Sequence, residues 1–327
     1  MCAIRCWICV WICVLGMFAG LRVPEARAGR MDLLVSTRFG HSVERYDGTT
    51  GVYLGAFVPP GGGGLQSAVG LTFGPDGNVY VGSSPGVNQP GVVKRYNGQT
   101  GAFIDTFASG GGLSGPGMLK FGPDDNLYVS SWWTNELLRY DGTTGKLIDH
   151  FIPAGSGGLN QPVDFIFGPG NNLYVVSYGG NSVLRYNATT GASLGVFVQP
   201  GTLSGPAGMA LGPDGNLYVG DTDRVRRYNG TTGKLIDVFI PAGRGGLGNP
   251  ADFEFRPDGN LYLGSNAWEG NPGAVKRYNG QTGAFIDTFV SGRELNGPWG
   301  MVWTPEPGTL ALLGAGVFVL AARRRRC

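Results

Sequence analysis

Cysteine is almost absent from the body of this 327-residue chain. Four of the five cysteines, Cys2, Cys6, Cys9 and Cys13, lie in the first 13 residues, and the fifth is Cys327. The spacing of the first four could suit a metal, but no histidine lies near them and the segment is typical of an export signal. The body therefore has no disulfide, and a hydrophobic core must stabilise it.

An excess of positive charge is also lacking. Seven of the 25 lysines and arginines and two of the 23 acids belong to the terminal segments, which leaves 18 basic and 21 acidic residues in the body. A slightly acidic domain does not present the basic surface that binding to phosphate backbones requires. Nucleic acid is therefore not expected as a partner.

Helical patterning is missing as well, since no long segment has apolar residues at three- and four-residue spacing. Instead, 60 glycines and 21 prolines separate short runs of β-branched and aromatic residues, which is typical of strands joined by tight turns. In the unit from Pro213 to Phe239, strands are predicted at 217–219, 225–228 and 235–239, after a fourth at 207–212. One unit is therefore four antiparallel strands.

The unit is repeated along the body, and the dipeptide Arg-Tyr marks each copy. Each Arg-Tyr is followed by Asp or Asn, a Gly/Thr turn and a strand that ends in Phe. A period of about 45 residues with four strands per period predicts a β-propeller. The arginines of these six dipeptides are Arg45, Arg95, Arg139, Arg185, Arg227 and Arg277.

The two ends of the body complete one another. Residues 32–57 contain three strands and lack the first, whereas Trp299–Trp303 is a first strand with no successor. Pairing the last strand with the first three closes the ring and removes exposed sheet edges. We therefore predict an all-β fold for residues 29–303, a six-bladed propeller with four antiparallel strands per blade.

The termini resemble export and sorting segments. Residues 1–28 contain Arg5, an apolar run and Ala26-Arg27-Ala28, which predicts a signal peptide cleaved after Ala28; an uncleaved membrane anchor is the alternative. In residues 304–327 a proline-rich linker precedes the 13-residue apolar run 310–322, short of the roughly 20 residues that span a bilayer. We expect contact with the membrane only through these segments.

The innermost strands are where a propeller presents residues to its central channel. Aligned on these strands, the ring contains Asp164 and Asp252, and Glu254 follows two residues later. These carboxylates could bind a cation or a polar ligand; alternatively, they bond to the backbone or to water in a wet channel. The predicted ring is Gly70, Met118, Asp164, Gly208, Asp252 and Gly300.

The loops between the second and third strands differ most among the repeats, and variation on a constant frame is where recognition usually lies. They contain Trp132, Trp133, Tyr178 and Trp268, whose flat faces could contact sugar rings or a protein. Asp221 lies in the corresponding loop of the fifth blade. The alternative for the aromatic residues is packing across the mouth of the propeller.

The C-terminal segment resembles the PEP-CTERM sorting signal of Gram-negative bacteria. The resemblance rests on Pro305-Glu306-Pro307, the apolar run that follows, and a terminal arginine cluster. It implies processing by an exosortase, export to the cell envelope or extracellular surface, and an association with exopolysaccharide. The arginines are Arg323, Arg324, Arg325 and Arg326.

The body resembles NHL-type six-bladed propellers, through repeats such as Gly212–Val219, and is similar to the virginiamycin B lyase group and, more distantly, to gluconolactonase-like propellers. Lyase chemistry in that group implies a channel histidine and an acid that holds a metal. The two histidines here, His41 and His150, are predicted in a loop and on an outer strand.

Two hypotheses follow. The first is a non-enzymatic protein of the envelope or exopolysaccharide matrix, binding or structural, with no metal or cofactor; its partner would be a polysaccharide or another envelope protein. The alternative is a metal-assisted lyase or lactonase that acts at Asp164, Asp252 and Glu254.

Overall fold

The structure, a computed structural model, describes residues 31–87, 89–265 and 273–305. These residues form 24 β-strands and three single 3₁₀ turns, at Gly62–Gly64, Ser156–Gly158 and Arg244–Gly246. The first twelve strands are β1 (Asp32–Thr37), β2 (Ser42–Asp47), β3 (Tyr53–Val58), β4 (Ala68–Phe73), β5 (Val79–Ser83), β6 (Pro90–Tyr96), β7 (Phe103–Ser114), β8 (Pro116–Phe121), β9 (Leu127–Ser131), β10 (Glu136–Tyr140), β11 (Leu147–Ile152) and β12 (Pro162–Gly168). The second twelve are β13 (Asn172–Ser177), β14 (Ser182–Asn187), β15 (Ser193–Val198), β16 (Pro206–Leu211), β17 (Leu217–Asp221), β18 (Arg224–Tyr228), β19 (Leu235–Ile240), β20 (Pro250–Phe255), β21 (Asn260–Ser265), β22 (Ala274–Asn279), β23 (Phe285–Ser291) and β24 (Pro298–Trp303).

The strands form six four-stranded antiparallel sheets, the blades of a β-propeller. Blades two to six each take four consecutive strands, whereas the first has the order β24-β1-β2-β3. The closing pair places Leu33 opposite Trp303 and Leu34 opposite Val302. The innermost strands β4, β8, β12, β16, β20 and β24 contact one another in a closed ring. The six-bladed architecture and its closure by the C-terminal strand are as predicted from the repeats.

Neighbouring blades pack through the repeated tyrosine of the second strand. The ring centroid of Tyr80 lies 4.8 Å from that of Phe107 in its own blade and 5.0 Å from that of Phe121 in the next blade, both edge to face. Its hydroxyl donates to Asp76 at the wet end of the strand, 3.0 Å away. Burial of the ring with the hydroxyl paired supports the predicted packing role. The tyrosines at this position, all at most 4% exposed, are Tyr80, Tyr128, Tyr174, Tyr218 and Tyr262.

The turns between the third and fourth strands contact the preceding blade. Gly145 has a φ of +70°, and a Cβ there would lie 1.8 Å from the carbonyl oxygen of Phe107. Glycine is therefore required for the backbone angle and for the close approach. The same contact at Gly51, with the carbonyl oxygen of Phe289, joins the last blade to the first.

In the three described ranges, no helix has the length and hydropathy needed to cross a membrane.

Candidate functional site

The innermost strands carry a ring of third residues, and it is the ring expected from the alignment: Gly300, Gly70, Met118, Asp164, Gly208 and Asp252. In β12 and β20 the pairing register shifts across Asp164 and Asp252, from Pro162 to Phe165 and from Pro250 to Phe253. Such a bulge redirects the side chain of the extra residue. Both carboxylates therefore reach the innermost strand of the next blade.

Asp164 is completely buried and bonds to three groups. Its Oδ2 accepts the backbone N–H of Met209 at 2.9 Å, and its Oδ1 accepts the N–H of Phe165 at 2.7 Å. The ammonium of Lys120 lies 2.8 Å from the same Oδ1. A buried carboxylate with an ion pair and two amide donors has its charge compensated. It joins the third, fourth and fifth blades.

Asp252 occupies the equivalent position two blades further along. Its Oδ2 accepts the backbone N–H of Met301 at 2.9 Å, which links the sixth blade to the first. Burial and the neighbouring charge of Asp164 raise the pKa of Asp252 to about 7, although Lys120 and the Met301 N–H act in the opposite direction. Asp252 therefore exchanges a proton near neutral pH, whereas Lys120 forms its ion pair with Asp164.

Lys120 is a functional candidate that sequence reasoning missed. It is the fifth residue of β8 and is about one-third exposed. In the sequence, Lys120 is recognisable only as a cation within a predicted innermost strand. Reasoning that considers acids and histidines alone does not select it. Only the propeller geometry shows that Lys120 faces Asp164 of the next blade.

The channel widens beyond this ring into a cavity of about 330 Å³. Asp252, Lys120 and Glu254 line it together with apolar side chains from all six innermost strands. Glu254 is half exposed and pairs with Arg256 at 3.0 Å. No group of three or more His, Cys, Asp or Glu with a geometry suited to a metal ion occurs among the described residues. We call the end of the channel that contains this cavity, with Asp252 and Glu254 in its lining, the carboxylate end.

The opposite end of the channel carries aromatic side chains. Trp132 and Trp133 follow β9, and their ring centroids are 6.1 Å apart. Tyr178 follows β13, and its ring lies 4.8 Å from that of Trp132. Trp133 and Tyr178 are each 39% exposed, so these faces are open to solvent. The structure therefore brings together the three described aromatic candidates across two neighbouring blades.

Two further residues complete this surface. Trp299 is the second residue of β24, a position where the other innermost strands have small side chains. The guanidinium carbon of Arg38, in the loop after β1, lies 5.3 Å from the Trp299 ring centroid. Both residues line two cavities, of about 150 and 190 Å³, that also share Trp132. We define the aromatic mouth as Arg38, Trp132, Trp133, Tyr178 and Trp299.

The mouth extends outward between the first two blades. A larger cavity of about 730 Å³ is lined by Arg38, Phe39, His41 and Trp133 together with the loop residues 60–67 and 84–87. Arg38 lines all three cavities, so they adjoin one another around this side chain, and we refer to them together as the cleft.

Of Asp221 and the two histidines, only His41 lines the cleft. Asp221 is 2% exposed, accepts the Nε–H of Arg226 at 2.7 Å and accepts the N–H of Ser204 at 3.1 Å, so it holds its own loop rather than lining the cleft. His41 accepts the N–H of Ser67, and His150 contacts Glu136 on an outer strand.

The structure therefore does not bring the seven described candidates into one site. Asp252 and Glu254 line the carboxylate end, Asp164 lies buried in the ring, and Trp132, Trp133 and Tyr178 lie at the aromatic mouth. Trp268 lies outside the described residues, as do all the predicted sorting residues except Pro305.

One family model matches the chain, that of the PEP-CTERM protein-sorting motif, over residues 304–326. The motif indicates an exported protein that is sorted to the cell envelope. No curated protein matches the chain.

Many solved structures are similar to the propeller. A chain from a nidogen/laminin complex is 17% identical with a TM-score of 0.64, covering 84% of this chain and 99% of that one. A protein of unknown function from Bacteroides caccae is 13% identical with a TM-score of 0.63, covering 85% and 100%. A catalytically inactive virginiamycin B lyase from Staphylococcus aureus, solved with quinupristin, is 16% identical with a TM-score of 0.58, covering 85% and 94%. At these identities the likeness shows the fold alone.

Proposed function

We propose that this protein is a propeller of the bacterial envelope or exopolysaccharide matrix that binds polysaccharide through its aromatic mouth. The observation that carries the proposal is the open cluster of Trp132, Trp133 and Tyr178 beside the adjoining cavities of the cleft. Exposed aromatic rings present flat apolar faces with polar edges, which suit the faces of sugar rings.

The position of the cluster supports binding rather than packing. Within the described residues, large apolar side chains exposed by more than a third lie mostly on the outermost strands, two or three per blade, whereas Trp133 and Tyr178 lie in loops around the channel. The cleft runs from Tyr178 past Trp132 to Trp133 and outward to Pro60 and Val87. An elongated cleft fits several units of a chain better than one small molecule.

Export and sorting support the choice of ligand. The PEP-CTERM motif indicates delivery to the envelope, where extracellular polysaccharide is within reach. We propose that an exosortase-type enzyme processes residues 304–327, and that the propeller needs no cofactor to bind its ligand.

Affinity electrophoresis of the full chain, purified in mild detergent, tests the binding proposal. Trp133→Ala and Tyr178→Ala should each lower affinity for a retained polysaccharide about tenfold or more, because truncating a central aromatic contact typically removes at least about 1–2 kcal/mol. Phe285→Ala is the control, since Phe285 is 36% exposed on β23 and lines none of the three cavities. Equal retention of all three variants and the parent would contradict the proposal.

The sorting proposal has a separate test. Replacing Pro305-Glu306-Pro307 with alanines in an exosortase-containing host should leave the C-terminal segment uncleaved, detected by mass spectrometry of the recovered protein. Exchanging Pro241 for alanine in the propeller is the matched control. Normal processing of the triple-alanine protein would refute the role of the motif.

A further inference from the structure

The aromatic mouth contains a cation whose charge no described residue neutralises. Arg38 is exposed, and no carboxylate of the described residues lies within ion-pair distance of its guanidinium. By contrast, the Arg-Tyr arginines Arg95, Arg139 and Arg277 each pair with an aspartate at 2.5 Å. Among the described residues, therefore, no carboxylate takes up the charge of Arg38, and its guanidinium donors could serve a ligand.

The backbone around Arg38 is fixed although its charge is unpaired. The N–H of Arg38 donates to the carbonyl of Gly297 at 2.8 Å, and the N–H of Phe39 donates to Asn296 at 3.1 Å. The guanidinium also lies near two aromatic rings, at 5.3 Å from Trp299 and 5.6 Å from Phe39. These contacts hold the cation at the edge of the cleft, which lowers the entropy lost when a ligand binds.

The described lining of the cleft carries positive charge and no acid. Of the described residues that line the two cavities nearest the channel, Arg38 is the only charged one. The outer cavity adds His41 and, among its described lining residues, no acid. A negatively charged ligand would therefore meet attraction in the cleft and no described carboxylate that repels it.

A second donor at the same place lacks an acceptor. The indole Nε1–H of Trp299 is buried and has no hydrogen-bond partner among the described residues. An unpaired buried donor costs about 1–3 kcal/mol. The guanidinium of Arg38 lies over the same indole ring, 5.3 Å from its centroid, and an oxygen-rich anionic group would complement the guanidinium donors.

We propose that the aromatic mouth selects acidic polysaccharides, with the carboxylate of a uronic acid unit bound by Arg38 and neighbouring sugar rings against Trp132, Trp133 and Tyr178. This inference rests on the proposed polysaccharide binding and adds the chemical class of the ligand. Arginine suits a planar carboxylate because its guanidinium donates two parallel hydrogen bonds.

The test uses two forms of one polymer, polygalacturonate and its methyl ester, which differ in charge but share a backbone. Affinity electrophoresis or calorimetry with the full chain in mild detergent should show at least tenfold tighter binding of the acid form, with the difference shrinking as salt rises. Arg38→Gln should abolish the preference, and Arg38→Lys should retain part of it because the charge stays.

Arg244→Gln is the matched control. Arg244 is exposed in a 3₁₀ turn, has no carboxylate partner among the described residues and does not line the cleft. Its substitution should leave the preference unchanged. Circular dichroism of each variant establishes that the propeller is folded.

The outcomes separate the two proposals. Equal binding of both polymer forms, or a preference that survives Arg38→Gln, overturns the acidic-sugar inference and leaves polysaccharide binding intact. Absence of binding to both forms and to neutral dextran overturns both proposals.

Discussion

Replacing Asp252 with asparagine should change how stability depends on pH. Asp252 is buried in the inner ring, and its pKa lies at about 7 instead of the usual 3.8. A carboxyl whose pKa is raised on folding stabilises the fold at low pH and loses that contribution as pH rises through the folded pKa. The parent protein should therefore become less stable between about pH 4 and pH 7, and asparagine cannot lose a proton in this range.

The size of the effect follows from the pKa difference. Each unit corresponds to about 1.4 kcal/mol, so ionising Asp252 costs the folded state about 4 kcal/mol at the upper limit. An asparagine retains an oxygen for the N–H of Met301 but adds a buried amide group, at a cost of about 1–2 kcal/mol. Asp252→Asn should therefore be about 2 kcal/mol more stable than the parent at pH 8, and about 1–2 kcal/mol less stable at pH 4.

Urea denaturation at several pH values between 4 and 8 measures this crossover. Glu254→Gln is the control, because Glu254 lies two residues away but is 47% exposed. Its charge is the smallest of the influences on the pKa of Asp252, so this variant should keep most of the parent's slope. If Asp252→Asn falls in stability with pH as steeply as the parent, another group is responsible and the reasoning about the ring is wrong.

Two further perturbations address the scaffold. Gly145→Ala should destabilise the propeller by about 3 kcal/mol or more, because a Cβ would lie 1.8 Å from the carbonyl oxygen of Phe107. The control is Gly155→Ala, since Gly155 has a similar positive φ but open space around it, and this substitution should cost only about 1 kcal/mol. Equal losses of stability in urea denaturation would contradict the role of the blade contact. Lys120→Met should lower stability by about 2–3 kcal/mol at pH 8, because it leaves the buried carboxylate of Asp164 without its cation. Unchanged stability in the same assay would show that the two backbone N–H donors are enough to stabilise this carboxylate.

Most of the fold could be predicted from particular residues. Each blade buries the same two faces, so the same residues recur in every repeat: the Arg-Tyr dipeptide, the turn glycines and the terminal Phe. The number of blades could therefore be counted from the sequence. The closure followed from counting strands at the two ends, and β24 pairs with β1 accordingly. The sequence also predicted that Asp164 and Asp252 lie in the ring, because the repeat places them at equivalent positions of two innermost strands.

The candidate site was predicted only in part. Trp132, Trp133 and Tyr178 stood out because they interrupt the repeat in loops, but nothing local distinguished Arg38, Trp299 or Lys120. Their roles depend on contacts across large sequence separations, such as Arg38 with Trp299 at the ring closure and Lys120 with Asp164 in the next blade. Such contacts are set by the assembled ring and not by spacing along the chain.

The sequence alone thus determined the number of blades, the strands in each and the sorting signal, because these are periodic or contiguous patterns. Tertiary structure alone decided which end of the channel each candidate occupies. The sequence places Asp252 and Glu254 two residues apart on one strand, but it does not indicate which end of the channel they face. Only the packed blades separate the carboxylate end from the aromatic mouth. The packed blades also determine which charged groups come into contact, since the bulges in β12 and β20 direct Asp164 and Asp252 into the neighbouring blade.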